Sequence, residues 1–76
     1  MKKKTWILTF VSTTQAMAAE KYAMEQNLPG RLIPIPREIT AGCGLSWKAV
    51  PEARDEILTA LEKAGRHWEG EYILEL

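Results

Sequence analysis

Cysteine is nearly missing from this chain: among 76 residues there is one, Cys43, and one histidine, His67. A single thiol forms no internal disulfide, and these two residues cannot supply the spacing of a structural zinc site. No metal is expected. A small fold without staples or metal suits a reducing cytosol better than secretion, so the expected compartment is cytoplasmic. An excess of either charge is missing too, because ten basic and ten acidic residues give a formal net charge of zero. Nucleic-acid binders usually carry a basic surplus on one face, so nucleic acid is not the expected partner. The one basic cluster, Lys2–Lys4, reads as a solvated, frayed terminus. No apolar run approaches the roughly 20 residues of a spanning helix, and no membrane is expected. Met1–Ala19 imitates a leader peptide, with Ala16-Met17-Ala18 as its cleavage-like site. Its apolar stretch Trp6–Val11 is too short, and Ser12–Gln15 interrupts it.

What is present fits one domain over residues 1–76. A domain this small buries only about 60% of its unfolded surface, so its core should be thin. Thr5–Val11 is rich in β-branched and aromatic residues and predicts a central strand, covered on both faces. Ser12 and Gln15 form the capping-box pattern S-x-x-Q and predict a helix from about Thr13 to Gln26. Ala16, Ala19 and Ala23 recur at helical spacing, as do Met17 and Met24. The alanines should let the helix lie close on a sheet, and the methionines should pack in the core or at its rim. Asn27 and Pro29-Gly30 stop the helix.

Arg31–Ile35 predicts a second strand. Pro34 and Pro36 would leave N–H groups missing on one side of it, which only an edge strand tolerates. Arg37–Gly42 reads as a loop and Leu45–Val50 as a third strand. Leu45, Trp47 and Ala49 share one face of that strand with Cys43, and Ser46 and Lys48 take the other. Pro51 fits the first turn of a second helix, with Glu52, Asp55 and Glu56 at its positive end. Ala53, Ile57, Leu61 and Ala64 form its apolar stripe, with Leu58 beside it. Lys63, Gly65, Arg66 and His67 close that helix. Glu71–Leu76 predicts the last strand, polar enough for the other edge. The order β-α-β-β-α-β is the ferredoxin-like split arrangement, an α+β sandwich with two helices on one face of a four-stranded antiparallel sheet. Right-handed crossovers put the first and third strands at the centre.

Cys43 stands between Gly42 and Gly44, on backbone open to conformations closed to other residues. This topology brings its loop to the rim where the first helix begins and the second ends. Backbone N–H groups at Thr13 and Thr14, with Arg37, Arg66 or His67, are then candidates to stabilise a thiolate or an anionic persulfide. Blander readings stand beside this one. A lone cysteine is most often an inert small hydrophobe. His67 fits a helix-end cation better than a base. Arg37 fits pairing with Glu38 or solvent. Trp6 and Trp47 fit the core, or a cover for an open sheet face.

Three pieces, ILTFVSTTQAMAAEK (Ile7–Lys21), RLIPIPREI (Arg31–Ile39) and CGLSWKA (Cys43–Ala49), resemble a family of small bacterial domains described as selenium/sulfur carrier protein-like. By that resemblance, Cys43 carries sulfur or selenium as a (seleno)persulfide, and the protein is at most a sulfurtransferase-like relay between donor and acceptor proteins. Arg37 lies in the matched P-R-E-I piece, and Ser12 and Thr13 in the matched helix start. No cofactor is implied beyond the covalent cargo. The alternative is a non-catalytic interaction or small-molecule-binding module that uses the open sheet face, with Trp6 or Trp47 on it. A metal chaperone would need paired soft ligands in the first loop, where Ser12-Thr13-Thr14 has none. The edge prolines argue against extending the sheet and leave face-to-face homodimers open.

Overall fold

The computed structural model describes residues 2–40 and 42–76. Met1, and Ala41 within the expected Arg37–Gly42 loop, lie outside the described residues. The elements in chain order are β1 (Lys4–Thr9), α1 (Thr13–Glu25), β2 (Arg31–Pro34), β3 (Leu45–Ala49), α2 (Arg54–Lys63) and β4 (Gly70–Glu75). A 3₁₀ turn, Pro51–Ala53, leads into α2, so Pro51 occupies the first turn as its fixed φ favours.

β1 ends two residues before the apolar run does. The Val11 N–H donates to Gln15 Oε1 at 3.1 Å instead of to a neighbouring strand. In return, Ser12 Oγ accepts from the Gln15 N–H at 3.2 Å. The capping box therefore forms, with its return arm on Val11 rather than on Ser12. Both helices end the same way. Asn27 (φ 54°) and Gly65 (φ 70°) turn left-handed. Leu28 N–H then reaches Ala23 O at 2.8 Å, and Arg66 N–H reaches Leu61 O at 2.9 Å. These are Schellman closures.

Ala16, Ala19 and Ala23 are buried, whereas Met17 and Met24 are 57% and 70% exposed. The expectation that the methionines pack in the core or at its rim is corrected. Each follows an inward alanine by one residue, which turns it about 100° away from the sheet.

The sheet order is β2-β3-β1-β4. Every neighbouring pair is antiparallel. With two helices this is an α+β structure. β1 and β3 are central; β2 and β4 are the edges. Pro34 lies opposite Leu45 at the end of β2, where its missing N–H leaves no gap in a central ladder. The terminus is not frayed at Lys3: it exchanges backbone hydrogen bonds with Leu76, both at 3.0 Å, and this prolongs the β1–β4 ladder.

Trp6 and Leu8 of β1 share a face with Trp47 and Ala49 of β3. They pack with Phe10, the three α1 alanines, Ala53, Ile57 and Leu61 into one core. On the other parity Ile7, Thr9 and Ser46 are also fully buried. The nearly continuous apolar run of β1 thus matches a strand covered on both faces.

Candidate functional site

The segment from Ile35 to Gly44 joins β2 to β3. Ile35 N–H donates to Gly44 O at 2.9 Å and carries the ladder one step past β2. Ile39 N–H closes a turn on Pro36 O at 3.0 Å. Ile39 itself is buried, which anchors the loop, while Arg37 and Glu38 are exposed at its tip. Gly42 (φ 101°) and Gly44 (φ 95°) both hold left-handed backbone that side chains strain to adopt. Gly42 is crowded: a methyl there would meet Ile35 Cδ1 at 3.2 Å, Phe10 O at 3.4 Å and Glu69 Oε1 at 3.5 Å. Gly44 is open, with nothing within 4 Å of the same position.

Cys43 lies between this crowded position and this open one. It is half-buried and packs against the main core, on the parity of Leu45 and Trp47. Its thiol donates to Leu45 O at 3.8 Å, a long and weak contact. Arg37, Arg66, His67 and Thr13 are exposed. Among the described residues neither these nor Ser12 hydrogen-bonds the thiol, and the Ser12 hydroxyl is engaged by its helix.

Glu69 is the acidic group that spacing did not single out. Its N–H donates to Thr9 O at 2.7 Å, which fixes it beside the end of β1. With the β1–β4 register in hand, Gly70 opposite Thr9 places Glu69 at this rim. The sequence alone shows only a turn there.

A second polar cluster lies on the β4 side. The buried Trp6 indole N–H donates to Glu71 Oε1 at 3.0 Å. Arg54 grips both Glu71 oxygens and also Asp55. The Arg54 hydrogen bond, then that of Trp6, holds the Glu71 carboxyl below its ordinary 4.5 against the opposing effect of burial. Trp47 lies equally inside, its indole N–H on Pro29 O at 3.0 Å. Of the two readings of Trp6 and Trp47, the core holds and the cover for an open sheet face is corrected. Both indoles face the helices because Trp6, Leu8, Trp47 and Ala49 fall on one parity.

Among the described residues, no three His, Cys, Asp or Glu side chains gather into a metal-sized group. Among the same residues no helix is long and apolar enough to cross a membrane. A family model described as "Putative Se/S carrier protein-like" matches residues 5–73, which takes in both helices, β2, β3 and all but the outer ends of β1 and β4. No curated protein and no solved structure matches the chain.

Proposed function

We propose, from the premise that the chain belongs to the Se/S carrier protein-like family, that Cys43 accepts sulfur or selenium from one protein and hands it to another. One observation carries the assignment to this residue: the only thiol stands half-buried between two left-handed glycines, with free space beside Gly44.

The transfer balances without an outside oxidant. The Cys43 thiolate attacks the outer chalcogen of a donor persulfide or selenopersulfide. A bond from Cys43 Sγ to that atom forms, the donor's own bond to it breaks, and the donor leaves as a thiolate. An acceptor thiolate then repeats the step on Cys43. The chain holds no second cysteine. Release must therefore go to an atom of the partner. Gly42 and Gly44 present the thiol. The first turn of α1, at Ser12 and Thr13, and Arg37 supply donors to the anionic adduct in the complex with a partner. We read the strand and helix succession as the ferredoxin-like arrangement, one domain working in the cytoplasm.

The test is intact-protein mass, as purified and after incubation with a cysteine desulfurase and either cysteine or selenocysteine. Wild type should gain sulfur or selenium that dithiothreitol removes; Cys43→Ser should gain none and stay folded. A wild type that takes up no chalcogen, and whose Cys43 alkylates slowly, overturns the carrier reading.

A further inference from the structure

We propose that the end of the sheet away from Cys43 binds a small organic anion with an apolar body. A cleft of about 510 Å³ opens there, where β1 and β2 begin and β3 and β4 end. Its size falls within the roughly 300–1,000 Å³ of small-molecule sites. Four of the chain's ten cations line it: Lys3, Lys4, Arg31 and Lys48. No carboxylate side chain lines it with them. In a chain of zero net charge this is a marked segregation.

The cations are not neutralised from within. Among the described residues both ion pairs belong to Arg54. Glu75 stands opposite Lys4 in the register without forming one. An α-carboxylate on Leu76, at the same lip, would offset one charge of the four. Arg31 and Lys48 are directly opposed across β2 and β3. Like charges so placed are destabilising, and a bound anion relieves that repulsion. The floor is apolar, from Ala49 and Val50. The facing lip is rigid. A side chain at Gly30 would collide with Lys48 O and with Trp47 Nε1, and that indole N–H holds Pro29 O at 3.0 Å. A preformed lip lowers the ordering cost of binding. Lys48 stands five positions along the chain from Cys43, on the order of 17 Å in extended backbone, so the cleft works independently of the thiol.

The probe is 1-naphthyl phosphate, titrated at low salt and followed by backbone amide NMR shifts, with inorganic phosphate and 1-naphthol as comparison ligands. The amides of Gly30, Arg31, Lys48 and Val50 should move together. Arg31→Gln/Lys48→Gln should weaken binding roughly tenfold, because two charge-assisted contacts are lost. Cys43→Ser should bind as wild type does. Both comparison ligands should bind more weakly than the probe. Shifts scattered over the surface, or an affinity unchanged in the double variant, overturn the proposal. So does an acidic peptide such as hexaglutamate binding more tightly than the probe, which would make the cleft a protein-docking surface instead.

Discussion

Gly30 and Gly44 hold nearly the same backbone, at φ 104° and 95°, in the connections before and after β2. Their surroundings differ completely. At Gly30 the space for a side chain is already filled by Lys48 O and Trp47 Nε1; at Gly44 it is empty. One glycine is demanded by packing and the other by torsion alone. The connection from α1 to β2 is thus clamped flat against β3. The connection that carries Cys43 is anchored at Ile39 and crowded at Gly42, and is open at Gly44. Two glycines that look alike in the sequence build a closed end and an open end of the same sheet.

Alanine scanning of the glycines tests this contrast most strongly. Gly30→Ala combines left-handed strain, overpacking and a threatened indole hydrogen bond, and should cost about 3 kcal/mol or more in urea unfolding, or prevent folding. Gly44→Ala bears only the strain and should cost about 1–2 kcal/mol. Equal losses at the two positions would break the comparison. Ser12→Ala removes the α1 cap near the open end and should cost about 1 kcal/mol, read by the same unfolding curve. The smallest effect concerns acid. The folded-state pKa of Glu71 is depressed, so its stabilising contribution is present above the unfolded value near 4.5 and fades as pH falls through the lower folded value. Glu71→Gln should remove that part of the acid dependence. Unfolding curves of wild type and variant that stay parallel down the acid range would show that Arg54 and Trp6 do not act on Glu71 as described.

Local chemistry made much of the fold legible. The S-x-x-Q cap, the left-handed Asn27 and Gly65 stops and the edge proline Pro34 each follow from one residue's own demands. The alternation Leu45-Trp47-Ala49 also put Cys43 on the core side, against which it packs. What local pattern does not carry is register. Trp6 and Glu71 meet across 65 residues, and Arg54 and Glu71 across 17. Glu69 beside Gly42 depends on the same β1–β4 pairing. The methionines failed for another reason. Met17 and Met24 form a stripe as regular as the alanines next to it, and only the close approach of the helix to the sheet selects the smaller residues. The family expectation rested on the three matching pieces, and the family model reaches past them into β4, to residue 73.

The pairing of β1 with β4 also bears on how the chain comes to be folded. Thr9 and Gly70 are 61 residues apart, yet they face each other at one end of this ladder. β1 is translated first and β4 last among the strands. On the ribosome, β1 can find β3 but must keep its other edge bare until β4 emerges. Closure of the sheet therefore waits for β4 and is set by the long chain separation between the two strands. An apolar strand held half-paired for that interval is the point at which a newly made chain is most exposed to wrong partners.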